Sequence, residues 1–495
     1  MKKRMMILEV SQKQAYIFAS RKLRENAARS GDISYVTGSR FFQAAAGALY
    51  SEEENLVYAG GGHTVLQFTD EAAATAFARA VTEAAMRRFP GLELFVRQMD
   101  YDDTKSPGEN LKALSAALER KKALRRASFR RLSCGVERAA EPTEPAGRAA
   151  QALDLPEEWR FPNKFEELAG DDSFIAVVHA DGNGMGKRVE RIYGKCGGWD
   201  DCRRTLRSFS EGIQSDFERA FRETVEAVIA AGYPADALPI RPVVLAGDDV
   251  CFVTAGSIGL ECARVFLEKL SAMENREQPG APYAACAGVA IVHKKYPFHQ
   301  AYDLAEELCS SAKRFGAEID GEGRVSAMDW HIEFGQLKDG LAAQREDYRT
   351  DDGCRMELRP VVVLAPEGVD RERLAEAAGG VRTYGFFKAM QQAVHGEYGK
   401  TARGKLKELR TAVKQGRTAA EFFLHDRQIQ DLLYHGFTAK YQTEEERKRE
   451  YQKLVDGQGD LRKELFTEVD GTVRCLFFDA VEMIDHFKAL EEVEA

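Results

Sequence analysis

The sequence predicts an α+β fold made of two ferredoxin-like domains in tandem, followed by a mostly helical C-terminal domain. Two observations predict the tandem: the order strand, helix, hairpin, helix, strand occurs twice, and in each copy a glycine-containing turn separates two β-branched runs. A third observation, the shift to helical patterns beyond Trp330, predicts the last domain. The predicted boundaries are residues 1–132 for the first domain, 133–170 for a linker, 171–335 for the second domain and 336–495 for the C-terminal domain.

The composition limits the classes of protein to which this chain can belong. Its 495 residues are too many for one hydrophobic core, and a net charge of −9 excludes a generally basic nucleic-acid coat. The nine cysteines form no Cys-x-x-Cys pattern, which argues against zinc ribbons and small disulfide frameworks and fits a reducing cytoplasm. The basic N-terminus has an apolar run that stops at Glu9, and no later segment approaches the roughly 20 apolar residues that cross a bilayer. We therefore expect a soluble, cytoplasmic protein without a membrane segment.

The first domain contains one complete copy of the repeated pattern. A strand over 5–10 is followed by helical stretches over 12–29 and 38–49, a hairpin over 55–68, a helix over 70–88 and a strand over 92–99. The hairpin turns at Gly60-Gly61-Gly62-His63. A charged helix over 111–131 ends in a basic run. This run forms either a contact to phosphate or RNA or a solvated helical face, and we favour the solvated face. Residues 139–162 contain four prolines, which is typical of a linker.

The second domain repeats this plan with different residues at its turns. The predicted elements are a strand over 174–180, a helix over 201–231, a hairpin over 241–253, a helix over 259–273, a strand over 284–292, a helix over 298–314 and a strand over 324–328. Two similar units in one chain indicate duplication. Beyond them, a strand over 359–364 precedes a basic helix over 400–417 and a charged amphipathic run over 443–463.

The first acidic turn follows the buried strand of the second domain. Asp181 ends that strand and precedes a loop that contains Gly182, Asn183, Gly184, Gly186 and Lys187. Glycines let the backbone approach a phosphate closely, and the amides at the start of the next helix bind anions. Lys187 adds a positive charge to such a site. The alternative is a plain strand-to-helix turn in which the aspartate is a cap, because a glycine-rich loop alone is weak evidence.

The second acidic turn lies in the hairpin, where Gly247 is followed by Asp248 and Asp249. Adjacent acids are an ordinary turn composition, yet both flanking runs here are apolar. Carboxylates that converge away from bulk water repel each other unless a cation lies between them. We therefore predict a Mg²⁺ (or Mn²⁺) site formed by Asp181, Asp248 and Asp249, with Asp249 as the shared ligand and Asp248 as a second ligand or nucleotide contact.

One further cation and several histidines were weighed as site residues. Lys313 either reaches the triphosphate or stabilises the C-terminus of its helix, where the macrodipole favours a cation. His293 and His299, near Pro297, are interpreted as loop residues and not as catalysts. His425-Asp426 is a bare dipeptide with no upstream histidine pair, so it does not indicate a metal phosphohydrolase. The first domain carries His63 where the second carries acid, so the first copy is either structural or binds a nucleotide without chemistry.

Three motifs of the second unit, taken together, resemble a known family. They are Ala180-Asp181-Gly182-Asn183-Gly184-Met185-Gly186, Ala246-Gly247-Asp248-Asp249, and Gly288-Val289-Ala290-Ile291 with the helix from Ala301 to Lys313. These motifs resemble the catalytic palm of the large cyclase subunit of type III CRISPR effector complexes, which is related to GGDEF diguanylate cyclases and class III nucleotidyl cyclases. The resemblance extends to an inactive first palm and a helical C-terminal domain entered through Arg359-Pro360.

This resemblance implies a function and a set of site residues. The family joins nucleoside triphosphates into cyclic oligonucleotide second messengers with two metal ions, so Asp181, Asp248 and Asp249 would be catalytic metal ligands and Lys313 a phosphate contact. The chain departs from the family in two residues, because Ala246 replaces a glycine and Asn183 replaces an acid. We expect neither the HD nuclease domain nor the cysteine-rich zinc element of the family, since Cys134 stands alone between the palms, so the chain resembles a reduced member.

The expected substrate is a nucleoside triphosphate, with ATP favoured, and the product a cyclic (oligo)nucleotide for antiviral signalling. The expected partners are guide or target RNA and CRISPR-type subunits. In related dimeric cyclases two nucleotides face each other across paired palms, so the first palm or a second copy in a homodimer would complete the site. Two alternatives stay open: a non-enzymatic scaffold subunit of an RNA-guided complex, and a template-directed polymerase.

Overall fold

The computed structural model describes residues 3–129, 155–170, 172–273, 282–335, 340–429, 443, 445–446 and 465–491. The predictions made for Cys134, for the first part of the linker and for most of the run over 443–463 lie outside the described residues.

The first domain is built on a four-stranded antiparallel sheet of order β2-β3-β1-β4. Its strands are β1 (Arg4–Ser11), β2 (Leu56–Gly60), β3 (His63–Phe68) and β4 (Glu93–Asp100). Its helices are α1 (Lys13–Ile17), α2 (Leu23–Val36), α3 (Ser39–Ala46), α4 (Glu52–Asn55), α5 (Glu71–Arg88) and α6 (Pro107–Phe129). The mixed helical stretch predicted over 12–29 is present as two helices, α1 and α2. The Ser20 hydroxyl accepts from the Lys22 N–H at 3.1 Å in the turn between them, and α2 runs on to Val36.

The second domain is built on a six-stranded sheet of order β10-β9-β8-β5-β7-β6, in which only β8 and β9 run parallel. Its strands are β5 (Phe174–Gly182), β6 (Ile240–Ala246), β7 (Asp249–Ala255), β8 (Ala285–His293), β9 (Ser326–Glu333) and β10 (Val361–Leu364). The helices in and before this domain are α7 (Phe165–Ala169), α8 (Met185–Lys195), α9 (Trp199–Ala230), α10 (Gly259–Ala272) and α11 (Phe298–Ile319). Strand β10 joins this sheet from beyond residue 335.

Helix α11 is longer than its sequence predicted. We expected it to end near Arg314, because Phe315 is followed by Gly316, but it runs on to Ile319. Gly316 stays helical and allows a close approach: a Cβ there would lie 3.4 Å from the Val325 carbonyl oxygen. Lys313 is therefore inside the helix and not at its C-terminus, so the macrodipole interpretation is wrong.

The C-terminal part is mostly helical among the described residues, as predicted. It contains α12 (Gly340–Arg345), α13 (Arg371–Ala378), α14 (Tyr384–His395), α15 (Glu397–Lys414), α16 (Arg417–Asp426), α17 (Phe478–Glu482) and a hairpin of β11 (Phe466–Val469) and β12 (Thr472–Cys475). The basic helix α15 is engaged internally, because Arg403 and Lys407 both pair with Asp485 at 2.6 Å. No helix in the described ranges combines the length and the apolar composition needed to cross a membrane.

The two sheets share hydrophobic cores. Buried residues of the first sheet, such as Met5 and Phe95, pack in one cluster with Trp199 and Leu206 of α9. The Trp199 indole donates to Gln67 Oε1 at 2.5 Å, which ties the start of α9 to β3. Since apolar burial is the main stabilising term in folding, the two domains stabilise each other and their relative position is fixed.

Candidate active site

Strand pairing places two of the predicted acids side by side. In the register of the second sheet, Asp181 of β5 lies directly opposite Asp249 of β7 on one side and Cys286 of β8 on the other. Directly opposed residues on antiparallel strands have their Cβ atoms about 4.5–5.5 Å apart. The apolar runs before Asp181 and after Asp249 form the buried centre of the sheet, which fixes this register.

The hairpin between β6 and β7 brings Asp248 to the same edge. Gly247 turns the chain with a φ of 70°, and its N–H donates to Gln214 Oε1 of α9 at 2.6 Å. The Gly182 N–H donates to the Asp248 carbonyl at 3.2 Å. A Cβ at Gly182 would lie 3.0 Å from the Asp248 Cβ, so only glycine allows the two acidic turns to approach this closely.

Asp248 lies in an environment that disfavours the negative charge of its carboxylate. Burial and the negative charges of Asp181 and Asp249 together raise the pKa of its carboxyl to about 6, against the opposing effect of Lys313. A raised carboxyl pKa in a group of like charges is the expected signature of a site built for a cation.

Lys313 supplies the positive charge nearest to these acids. Its Nζ forms a short ion pair with the Asp181 carboxylate and donates to the Gly182 carbonyl at 3.1 Å. Burial lowers the pKa of this ammonium group, but the charge of Asp181 and their hydrogen bond outweigh that effect, so the pKa is raised. The predicted proximity of Lys313 to the acids is thus present in the structure.

His179 is a site residue that the sequence reasoning missed. Its Nε2 lies 3.1 Å from Asp249 Oδ1, and its ring packs edge-on against Tyr302 with centroids 5.4 Å apart. Burial lowers the pKa of the imidazole, but Asp249 and Asp181 raise it by more. The signal was available, because residues two apart on a strand share a face and His179 precedes Asp181 by two.

The loop after Asp181 is held away from the acids. Asn183 Nδ2 donates to the Val325 carbonyl at 2.8 Å, and Lys187 Nζ donates to the Gly321 carbonyl at 2.6 Å. Gly184 adopts a φ of 68° just before α8, and a Cβ at Gly186 would meet no atom within 4 Å. The N-terminus of α8 is therefore open, while the two polar side chains of the loop face the β9 side.

The first domain contains a counterpart of this site with different chemistry. Glu9 of β1 lies opposite His63 of β3, as Asp181 lies opposite Asp249. Lys122 of α6 pairs with Glu9 at 2.7 Å, as Lys313 pairs with Asp181. Desolvation of the half-buried His63 ring and the charge of Lys13 lower its pKa to about 4. The prediction that His63 takes the place of an acid is confirmed by this register.

A cavity of about 390 Å³ separates the two counterpart sites. Glu9 and Lys122 line one side, and Asp249 and Tyr302 line the other. Lys13 of the first domain lies between them and bonds the Gly61 carbonyl. Burial lowers the pKa of Lys13, while Glu9 and Asp249 oppose this effect. A cation of the first domain thus lies within electrostatic reach of the second domain's acids.

The donor set fits a hard divalent cation, although the ligand geometry is not preformed. Aspartate oxygens are the ligands that Mg²⁺ and Mn²⁺ prefer, and the raised pKa of Asp248 shows uncompensated negative charge. Among the described residues, however, no three His, Cys, Asp or Glu side chains are already arranged to hold a metal ion. The Lys313 ammonium instead neutralises Asp181. A metal would therefore have to reorient the acids on binding.

The second domain is a ferredoxin-like unit with acids at the end of its central strand and in the adjoining hairpin. These features define it as a palm. Residues 174–318 match the family model described as Cas10/Cmr2, second palm domain. The predicted resemblance to the large subunit of type III CRISPR effector complexes is thereby confirmed, and so is the α+β fold class. No curated protein matches the sequence.

Solved structures share the fold over almost the whole chain. A Csm1-Csm4 cassette in complex with AMPPNP matches at 14% identity with a TM-score of 0.54, over 98% of this chain and 70% of that chain, and the apo cassette gives the same values. The cassette in complex with cA4 matches at 13% identity with a TM-score of 0.53, over the same shares of the two chains. This chain spans 54% of the length of the chain that it matches in a Csm1-Csm4 subcomplex of the type III-A interference complex.

Proposed function

We propose that the chain is a nucleotidyl cyclase that converts nucleoside triphosphates, ATP first among them, into cyclic (oligo)nucleotide second messengers in cytoplasmic antiviral signalling. The observation that carries this proposal is the convergence of Asp181, Asp248 and Asp249 at one edge of a Cas10-like palm. The nucleotides bound to the structural relatives, AMPPNP and cA4, support an adenine nucleotide as substrate and product.

The reaction joins a ribose hydroxyl to the α-phosphorus of a triphosphate. The new O–P bond forms as the bridging P–O bond to the β-phosphate breaks, and pyrophosphate leaves with the bonding electrons. Asp181, Asp248 and Asp249 would hold Mg²⁺ or Mn²⁺, which when bound lowers the pKa of the attacking hydroxyl and neutralises the phosphate charge.

The protein's own side chains orient these groups. His179 is a positioning residue, because its hydrogen bond at 3.1 Å holds the Asp249 carboxylate. Lys313 pairs with Asp181 in the free protein, and its ammonium group would contact the triphosphate. The open N-terminus of α8, with Gly184 and Gly186, offers backbone N–H groups to phosphate oxygens.

The partner assignments are part of the same proposal. We infer that the chain works with a CRISPR-type subunit and with guide or target RNA, as the likeness to Csm1-Csm4 assemblies suggests. The scaffold alternative has one observation in its favour: within the described chain the three acids do not form a preformed metal site.

Turnover assays test the proposal. The purified protein is incubated with each labelled triphosphate and Mg²⁺ or Mn²⁺, with and without RNA. We expect cyclic products, and a loss on the order of 100-fold or more in an Asp248→Ala/Asp249→Ala variant, since metal ligation supplies several kcal/mol of transition-state stabilisation. An Asp200→Ala/Asp201→Ala variant removes two adjacent acids from the exposed first turn of α9 and serves as the matched control.

The outcomes separate the candidate functions. Absence of turnover under all conditions, with RNA copurifying, would support the scaffold alternative and overturn the cyclase. Products that grow only on a template would support the polymerase.

A further inference from the structure

A second large cavity lies outside the inter-domain site. Its volume is about 1030 Å³, and three separate segments line it: 18–24 between α1 and α2, 163–166 around the start of α7, and 294–299 between β8 and α11. We call it the basic groove. Both domains and the segment that joins them contribute to it, so its shape depends on the folded tandem.

The basic groove is strongly cationic in a chain whose net charge is −9. One acid, Glu166, lines it, against six cationic side chains: Arg21, Lys22, Arg24, Lys164, Lys294 and Lys295. Lys22 pairs with Glu25 at 2.8 Å, and Lys294 donates to the Asp172 carbonyl at 3.2 Å. The other four form no ion pair within 4 Å with any described residue, and all four are exposed. Uncompensated cations of this density attract a polyanion.

The floor of the groove is aromatic. The Phe18 and Phe298 rings meet edge-on with centroids 5.4 Å apart, and the Phe165 and Phe298 rings lie 5.2 Å apart. Phe18, Phe165 and Tyr296 are only half-buried, so parts of their rings face the groove. Partly exposed rings and flanking cations are the two components that bind single strands, since bases stack on the rings and phosphates contact the cations.

We propose that the basic groove binds single-stranded nucleic acid. A single nucleotide would engage only a fraction of cations contributed by three segments, and an acidic peptide would leave the aromatic floor without a stacking partner. A duplex cannot present its bases to a floor of this kind, because they are already stacked and paired. The inference deepens the RNA-partner part of the proposed function, and it does not rest on the cyclase activity.

Salt-dependent binding tests the proposal. Anisotropy is measured with a labelled oligouridylate and an oligothymidylate of equal length, in EDTA and without triphosphate, so that no turnover contributes. Each phosphate contact to a single strand contributes about 0.7 to the slope of log K against log salt. We expect Arg24→Ala/Lys295→Ala to weaken binding about tenfold at low salt and to reduce the slope by about 1.4. Arg79→Ala/Arg371→Ala removes two exposed cations elsewhere and should change neither quantity.

The remaining arms identify the ligand. Tighter binding of the uridylate assigns the groove to RNA, and equal binding assigns it to single strands in general; both support the proposal. A slope that Arg24→Ala/Lys295→Ala leaves unchanged overturns it, as does displacement of the oligonucleotide by an equally charged oligoglutamate. A Lys164→Ala variant with the parental melting temperature repeats the test on the third segment.

Discussion

At the scale of single residues, Asp248 is a carboxyl group whose ionisation the fold opposes. Its pKa of about 6 reflects burial together with the charges of Asp181 and Asp249. Because the folded-state pKa is raised above the ordinary value, the ionised carboxylate destabilises the metal-free protein at neutral pH. The same charge would attract a divalent cation, so the instability of the free site and its affinity for metal have one cause.

The raised pKa of Asp248 predicts the pH dependence of an Asp248→Asn variant. In the parent, the stability linked to Asp248 is fully present below its unfolded pKa near 3.8 and is lost as the pH rises through about 6. The variant should therefore melt above the parent at pH 7.5, by about 2 °C if roughly 1 kcal/mol is recovered, and equal to it near pH 4. Calorimetry in EDTA measures the difference.

An Asp200→Asn variant, which removes an exposed carboxylate, provides the control. If Asp248→Asn melts below the parent at pH 7.5, the carboxylate is stabilised in the free protein and this account of the site fails. Adding Mg²⁺ should raise the melting temperature of the parent and of the Asp200→Asn control but not that of Asp248→Asn, because the first two retain Asp181, Asp248 and Asp249.

The sequence could predict the acids at residue scale because their chemistry is visible in the turns. Asp181, Asp248, Asp249 and Lys313 were all predicted and are brought together. Gln214 carried no such signal, because its position depends on where α9 crosses the hairpin. Lys13 acts across the boundary between domains, and no pattern within one domain reveals such a contact.

At the scale of elements, the two palms place a lysine at the same position along equivalent helices. Lys122 of α6 and Lys313 of α11 are equally far from the first residues of their helices, and each pairs with the acid at the end of the central strand. The basic run that begins at Lys121 was interpreted as a solvated face or an RNA contact. Lys122 is neither, since its side chain is 8% exposed and bonded to Glu9.

A prediction follows for the pair in the first palm. Lys122→Met should destabilise the protein by about 1–3 kcal/mol, because it leaves the Glu9 carboxylate largely buried without its cation. Adding Glu9→Gln to that variant should recover most of the loss, since the uncompensated charge is then removed. Chemical denaturation measures both steps.

The exposed pair of Arg87 with Glu83 provides the comparison, and Arg87→Ala should change stability by less than about 0.5 kcal/mol. A double variant less stable than Lys122→Met alone would show that Glu9 contributes something other than its charge.

The elements themselves were predictable where hydrophobic periodicity was long and strong. Both hairpins, the long helix α9 and strand β8 lie where the pattern placed them. The ends of elements were less predictable, as Gly316 shows: α11 remains helical through this glycine and ends at Ile319, beyond the predicted end.

At the scale of the whole molecule, the tandem was predictable and the packing between its halves was not. Helix α9 follows the edge of the first sheet, where Arg203 donates to the Glu53 carbonyl at 2.6 Å and Ser210 Oγ donates to the Ala59 carbonyl at 2.6 Å. These contacts join residues about 150 positions apart in the chain. Sequence patterns describe local structure, so they give no sign of such long-range pairs.

Trp199 tests whether the two palms unfold together. Its side chain is buried in the cluster that both domains share, so Trp199→Ala should cost about 3 kcal/mol or more. Hydrogen exchange should then accelerate both in α9 and in strands β2 and β3 of the other palm. Trp159→Ala removes a half-buried indole that packs against a cluster without residues of the first palm and should leave β2 and β3 protected. Acceleration confined to α9 would show that the palms unfold separately.

Glu9 and Lys122 face Asp249 and Tyr302 across one cavity. This arrangement has a consequence for assembly. Where two palms are separate polypeptides, mass action governs how often they meet, and dilution drives them apart. Here a single polypeptide carries both in fixed one-to-one stoichiometry, and their shared cores hold them together at any concentration. Each molecule therefore contains one such cavity, whatever the concentration of the protein in the cell.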